Sequence, residues 1–203
     1  MKIEVRADGA HISGYVNVTE KKSKPIITPR GKVVEEIEPR AFEAALERAG
    51  NITVTVDHDA THVYASTDAG TLEMYEDNIG LHADVLIVDP DLIEIAKKGK
   101  IRGWSFGMYN IQDKLEQRAD DYPIRRITSL DLDHLSLLVG SNPAYMATSV
   151  EVRAESEIDL EIRSMDMPVQ VEITEPEKPK FDNSAYRARA EAIKNHTYGG
   201  KKI

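Results

Sequence analysis

Residues 101–109 read IRGWSFGMY, with Ser105 between Gly103 and Gly107. The string fits G-x-S-x-G, the nucleophile elbow, which needs a strand before the serine and a helix straight after it. Residues 108–117, MYNIQDKLEQ, carry no clean apolar stripe at a spacing of about 3.6 residues. Repeated βαβ alternation is missing too, and downstream of Ser105 only His134 and His196 could act as a base. The elbow therefore fails on its context. What remains is a serine between two residues without side chains, where backbone can approach a reacting carbonyl that a Cβ would keep away.

The flanking sequence reads as sheet. Ile52, Val54 and Val56 alternate with Thr53, Thr55 and Asp57, the period of a half-buried strand that ends at HDATH, residues 58–62. The same period recurs at Thr71–Tyr75, Leu81–Val88 and Ile127–Val139, with Gly and Asp-Asn turn signals between. Two short helices are expected. Pro39–Ala49 has proline in the tolerated first turn and stops at Gly50; Pro90–Lys98 follows Asp89 as N-cap and stops at Gly99. The expected class is mainly β with flanking helices, α+β, rich in antiparallel sheet.

Composition narrows the function classes. A chain of 203 residues holds one domain with a real core plus a modest appendage. With no cysteine, disulfides, a thiolate nucleophile and cysteine-based zinc sites are all excluded. A net charge of −9 argues against binding nucleic acid through its phosphates. There is no apolar run of about eighteen residues and no signal-like start, so a cytoplasmic protein without a membrane span is expected. After about Arg153 the chain becomes Glu-rich and is interrupted by Pro168, Pro176 and Pro179. The expected division is a catalytic domain over 1–153 and a flexible tail over 154–203. That tail is read as two short strands about Met165–Pro168, a stiff EPEKPK linker at 175–180, and an amphipathic helix carrying Tyr186, Ala190 and Ile193.

Serine needs a base at neutral pH, and six histidines are available. His58 has the best context, at the end of an apolar strand between Asp57 and Asp59; its plainer reading is an exposed turn residue. His134, in LDLDHLSLLVGSNPAY, shares strand parity with Leu130, Leu132 and Leu138, which by itself reads as a satisfied core histidine. Asp131 and Asp133 have the opposite parity. His58 and His62 stand four apart, but in strand and turn, and without the Glu of H-E-x-x-H, so no metal or other cofactor is expected.

In order along the chain stand ISGYVNV, VVEEIEPRAFEAAL, VTVDHD, GTLEMYEDNIGLHADV, GWSFGMY and LDHLSLLVGSNPAYMATSVEVR. This series, from about Ile12 to Arg153, resembles the HK97-type prohead proteases of tailed phages, relatives of the herpesvirus assemblins. The resemblance implies a compact antiparallel β-barrel flanked by helices, with Ser105 as nucleophile, His58 as base and His134 as third member, where the family often has a carboxylate. It further implies a serine endopeptidase that cuts scaffold segments and major-capsid-protein precursors, and itself, inside the immature prohead in the bacterial cytoplasm. A homodimer follows from the herpesvirus relatives. The competing reading is a non-catalytic capsid assembly factor.

Overall fold

The computed structural model describes residues 1–139, 150–152, 159–166 and 168–174. In chain order they form β1 (Lys2–Arg6), β2 (Gly9–Val18), β3 (Ile26–Thr28), β4 (Gly31–Ile37), α1 (Ala41–Arg48), β5 (Thr53–Val56), β6 (Ala65–Ser66), β7 (Leu72–Glu76) and β8 (Gly80–Ile87). There follow α2 (Pro90–Lys97), β9 (Gly103–Glu116), β10 (Ile124–Leu138), β11 (Val150–Val152), β12 (Asp159–Asp166) and β13 (Gln170–Ile173). The fold is mainly β with two helices, as the alternating pattern predicts.

Both helices start where local chemistry satisfies their first N–H groups. Asp89 accepts from Leu92 N at 2.9 Å and Pro90 opens α2. In α1, Arg40 has no capping side chain of its own and sits at φ 70°. The Glu76 carboxylate of β7 takes its place, accepting from Arg40 N at 2.8 Å and Glu43 N at 2.6 Å.

The strands divide between two sheets, one ordered β13-β1-β2-β8-β7 and the other β11-β12-β9-β10-β4-β3. β10 is long enough to pair with β4 through Ile124–Ile127 and, farther along, with β5 through His134–Leu137. The closed barrel implied by the resemblance is absent among the described residues. Closure needs the outermost strands to pair with each other, whereas β13 and β7 remain the edges of the first sheet and β11 and β3 the ends of the second. The second sheet forks at β10 instead of curling into a ring.

One apolar core joins both sheets and both helices, with Ile12, Leu81 and Ile87 from the first sheet, Trp104, Phe106 and Leu137 from the second, and Phe42 and Leu92 from the helices. The Phe42 ring meets Phe106 edge to face at 5.6 Å. The first six residues of β9, Gly103–Met108, are all buried, and alternation begins only after them. Ser105 thus stands in a stretch of strand covered on both faces.

β12 pairs antiparallel with β9 and continues through Met165 and Asp166, where the break between two tail strands is expected; β13 runs parallel to β1. The Met1 ammonium donates to Pro168 O at 2.9 Å. The expected EPEKPK linker and amphipathic helix lie outside the described residues, as does the GSNPAY segment. No helix among the described residues is long and apolar enough to cross a membrane.

Candidate active site

Strand pairing brings the candidate residues together in two rungs that are two residues apart. One runs Thr55, Ser136, Ser105, Ser164 across β5, β10, β9 and β12; the other runs Thr53, His134, Gly107, Ile162, with the Val54, Leu135, Phe106, Arg163 rung between them. Directly paired residues share a sheet face, and side chains two residues apart along a strand return to it. His134 therefore lies on the same face as Ser105, two rungs away, though far from it in the chain.

His58 reaches this face from a tight turn. β5 ends at Val56, and Asp57 and His58 both adopt left-handed backbone, φ 46° and 62°. Such conformations cost about 1–3 kcal/mol each in residues other than glycine and persist only where surrounding contacts enforce them. Here Asp57 N donates to Leu137 O at 2.9 Å, His58 N donates to Ser136 Oγ at 2.9 Å, and Val139 N donates to Asp57 Oδ1 at 3.0 Å. The turn swings the imidazole back over the sheet, where His58 Nε2 lies 2.8 Å from Ser105 Oγ.

The chain of contacts continues inward. His58 Nδ1 is 2.7 Å from His134 Nε2, and His134 Nδ1 is 2.6 Å from Asp133 Oδ2. Strand parity predicts that Asp133 faces away from His134, and this is not what the structure shows. Leu132 pairs with Met108 and His134 with Gly107, so Asp133 has no partner on β9 and forms a bulge. The bulge turns two consecutive side chains toward each other, and nothing in LDLDHLS announces it.

Gly107 has a role the sequence does not reveal. A Cβ there would lie 2.7 Å from Cε1 and 2.9 Å from Nδ1 of His134. The missing side chain is what lets the second imidazole lie across β9. Gly107→Ala is expected to push the His134 ring away from His58, and overpacking costs about 1–3 kcal/mol of stability. Thermal melts beside a structure of the variant test this: an unmoved His134 ring and an unchanged melt would contradict it.

Burial shapes the electrostatics. Ser105 has no solvent-accessible surface, and its Oγ lies 2.8 Å from Arg163 O as well as from His58. Burial, and secondarily the neighbouring His134, lower the His58 pKa to about 4, against a smaller opposing effect of Asp57. His58 is therefore neutral, and able to accept a proton, across the physiological range.

The remaining described histidines stand apart from this cluster. His62 stacks on Tyr64, His11 contacts Asp8, and His82 packs between Tyr15 and Tyr75. Among the described residues no group of three or more His, Asp or Glu side chains is arranged to hold a metal ion.

No curated protein and no solved structure matches the chain. The family model for caudovirus prohead serine proteases matches residues 1–161, which takes in the Ser105, His58, His134 cluster and most of both sheets. By that match, the chain belongs to the caudovirus prohead serine protease family.

Proposed function

We propose that Ser105, His58 and His134 form the catalytic triad of a prohead endopeptidase, with Asp133 positioning His134 from behind. The observation that carries this reading is the unbroken sequence of contacts from Ser105 Oγ through both imidazoles to Asp133 Oδ2, at 2.8, 2.7 and 2.6 Å. Ser105 Oγ attacks the substrate carbonyl as its proton passes to His58 Nε2. The acyl-enzyme forms when His58 returns that proton to the leaving amine, and water enters by the same route in reverse. His134 accepts the Nδ1–H of His58 and stabilises the imidazolium, less strongly than a carboxylate in direct contact would.

The substrates in this reading are scaffold segments and major-capsid-protein precursors, met inside the immature prohead in the host cytoplasm, and the protease's own tail over 154–203. Confinement with them raises their effective concentration, so tight binding need not be built into the enzyme. The Ser-His-His set also supports kinship with the herpesvirus assemblins; a homodimer belongs to this reading through that kinship alone. Co-expression with the shell proteins tests the function. Wild type is expected to yield processed capsid protein and Ser105→Ala only precursor; identical processing by both would favour the assembly-factor reading.

The pH dependence follows from His58. Because burial favours its neutral form, kcat/KM is expected to hold through pH 6 and fall only as pH drops through about 4. A pH profile with its acid midpoint near 6.5, the value of an unperturbed histidine, would contradict a buried base.

A further inference from the structure

A nucleophile that attacks protein substrates has to meet them, yet Ser105 has no accessible surface. β12 lies along the open edge of its strand. Ser164 is the register partner of Ser105, while Arg163 and Met165 pair with Phe106 and Trp104. The other edge of β9 is taken by β10. The edge under β12 is thus where an extended peptide could be added to the serine-bearing strand.

β12 is held there by two forked ion pairs. Arg163 donates to Glu35 of β4 through Nε at 2.6 Å and an Nη at 2.9 Å. Arg125 of β10 donates to both oxygens of Glu161, at 2.7 and 3.0 Å. Exchanging such buried pairs for apolar residues often costs little, but removing one partner leaves the other charge buried and unpaired, which is strongly destabilising. Buried Leu160 and Ile162 supply the apolar part of the contact.

The docked strand also engages the nucleophile. The Ser105 hydroxyl has one hydrogen and two acceptors at 2.8 Å, His58 Nε2 and Arg163 O. Donation to Arg163 O withdraws that hydrogen from the base and directs the carbonyl oxygen, not its carbon, at Oγ.

We infer that β12 is an internal stand-in for the substrate strand, closing the site in cis until a substrate peptide replaces it on β9. The inference rests on the protease reading above. A replacing strand that carries a carboxylate two residues ahead of a basic side chain, as Glu161 and Arg163 do, refills both forks and competes best.

The chain has no cysteine, so Gly103→Cys with Asp166→Cys, a register pair of β9 and β12, allows a single disulfide to lock the strand. The rate at which a fluorophosphonate labels Ser105 reports opening. The oxidised protein is expected to label about tenfold more slowly than the same protein reduced, and Arg163→Glu about tenfold faster than wild type. Equal, measurable rates in the oxidised and reduced forms would overturn the inference and leave the protease reading standing. No labelling in any form would remove both. In the Arg163→Glu protein, the free peptide DLEIRSMD is expected to slow labelling more than DLRIESMD, whose two central charges are exchanged; equal competition would overturn the charge pattern.

Discussion

Ser105→Ala is expected to reduce kcat for peptide cleavage on the order of 10⁵–10⁶-fold, His58→Ala about as much, and the double variant no further. The non-additivity is the informative part. If His58 serves only to take the proton of Ser105, then without Ser105 it has nothing left to activate. The structure supports a single unit, since His58 Nε2 touches Ser105 Oγ at 2.8 Å. Its backbone is held in a strained turn by Ser136 and Leu137, from the strand beside β9. Single-turnover assays of the three variants check this. A double variant much slower than either single one would mean that the two residues act independently.

The next largest effect is expected at His134, where alanine should reduce kcat about 10²–10³-fold, with Asp133→Asn reducing it about 10-fold or more. The tautomers explain the order. Asp133 accepts only from a protonated His134 Nδ1, which leaves His134 Nε2 as an acceptor. His134 Nε2 then requires the proton of His58 on Nδ1, and His58 Nε2 is left bare toward Ser105. In the opposite tautomer His58 cannot accept the serine proton, and His134 presents a lone pair to a carboxylate. Asp133 thus selects the productive arrangement through its contact with His134, and its loss should alter the pH profile as well as the rate. Equal rates in His134→Ala and wild type, with Asp133→Ala inactive, would make the carboxylate and not the imidazole the direct partner of His58.

Much of the sheet and both helices could be read from alternation and capping signals. The pattern at Ile52–Asp57 is β5, and that at Leu81–Val88 is β8 within a residue. β9, the strand that matters most, was hidden because its alternation slips phase. Trp104, Phe106 and Met108 share one parity, Ile111 and Leu115 the other. Between Tyr109 and Gln112, two residues oppose Leu130 alone, with Asn110 at φ 49°. A second bulge hid Asp133, which parity had turned away from the site. In both places the backbone departs from period two, and only that period is visible in residue types. His58 and Ser105 are legible as candidates, the first as a strand end and the second through the ordered landmarks around it. The part played by Arg163 was not, because its carbonyl and guanidinium matter only once β12 lies against β9.

If Ser105 is the reactive residue and His58 its base, mass spectrometry of the full chain after prolonged incubation with a fluorophosphonate reveals it most directly. The expected result is one adduct, on the peptide that contains Ser105, absent in Ser105→Ala and strongly reduced in His58→Ala. An adduct on any other residue, or equal labelling of Ser105 with and without His58, would contradict it.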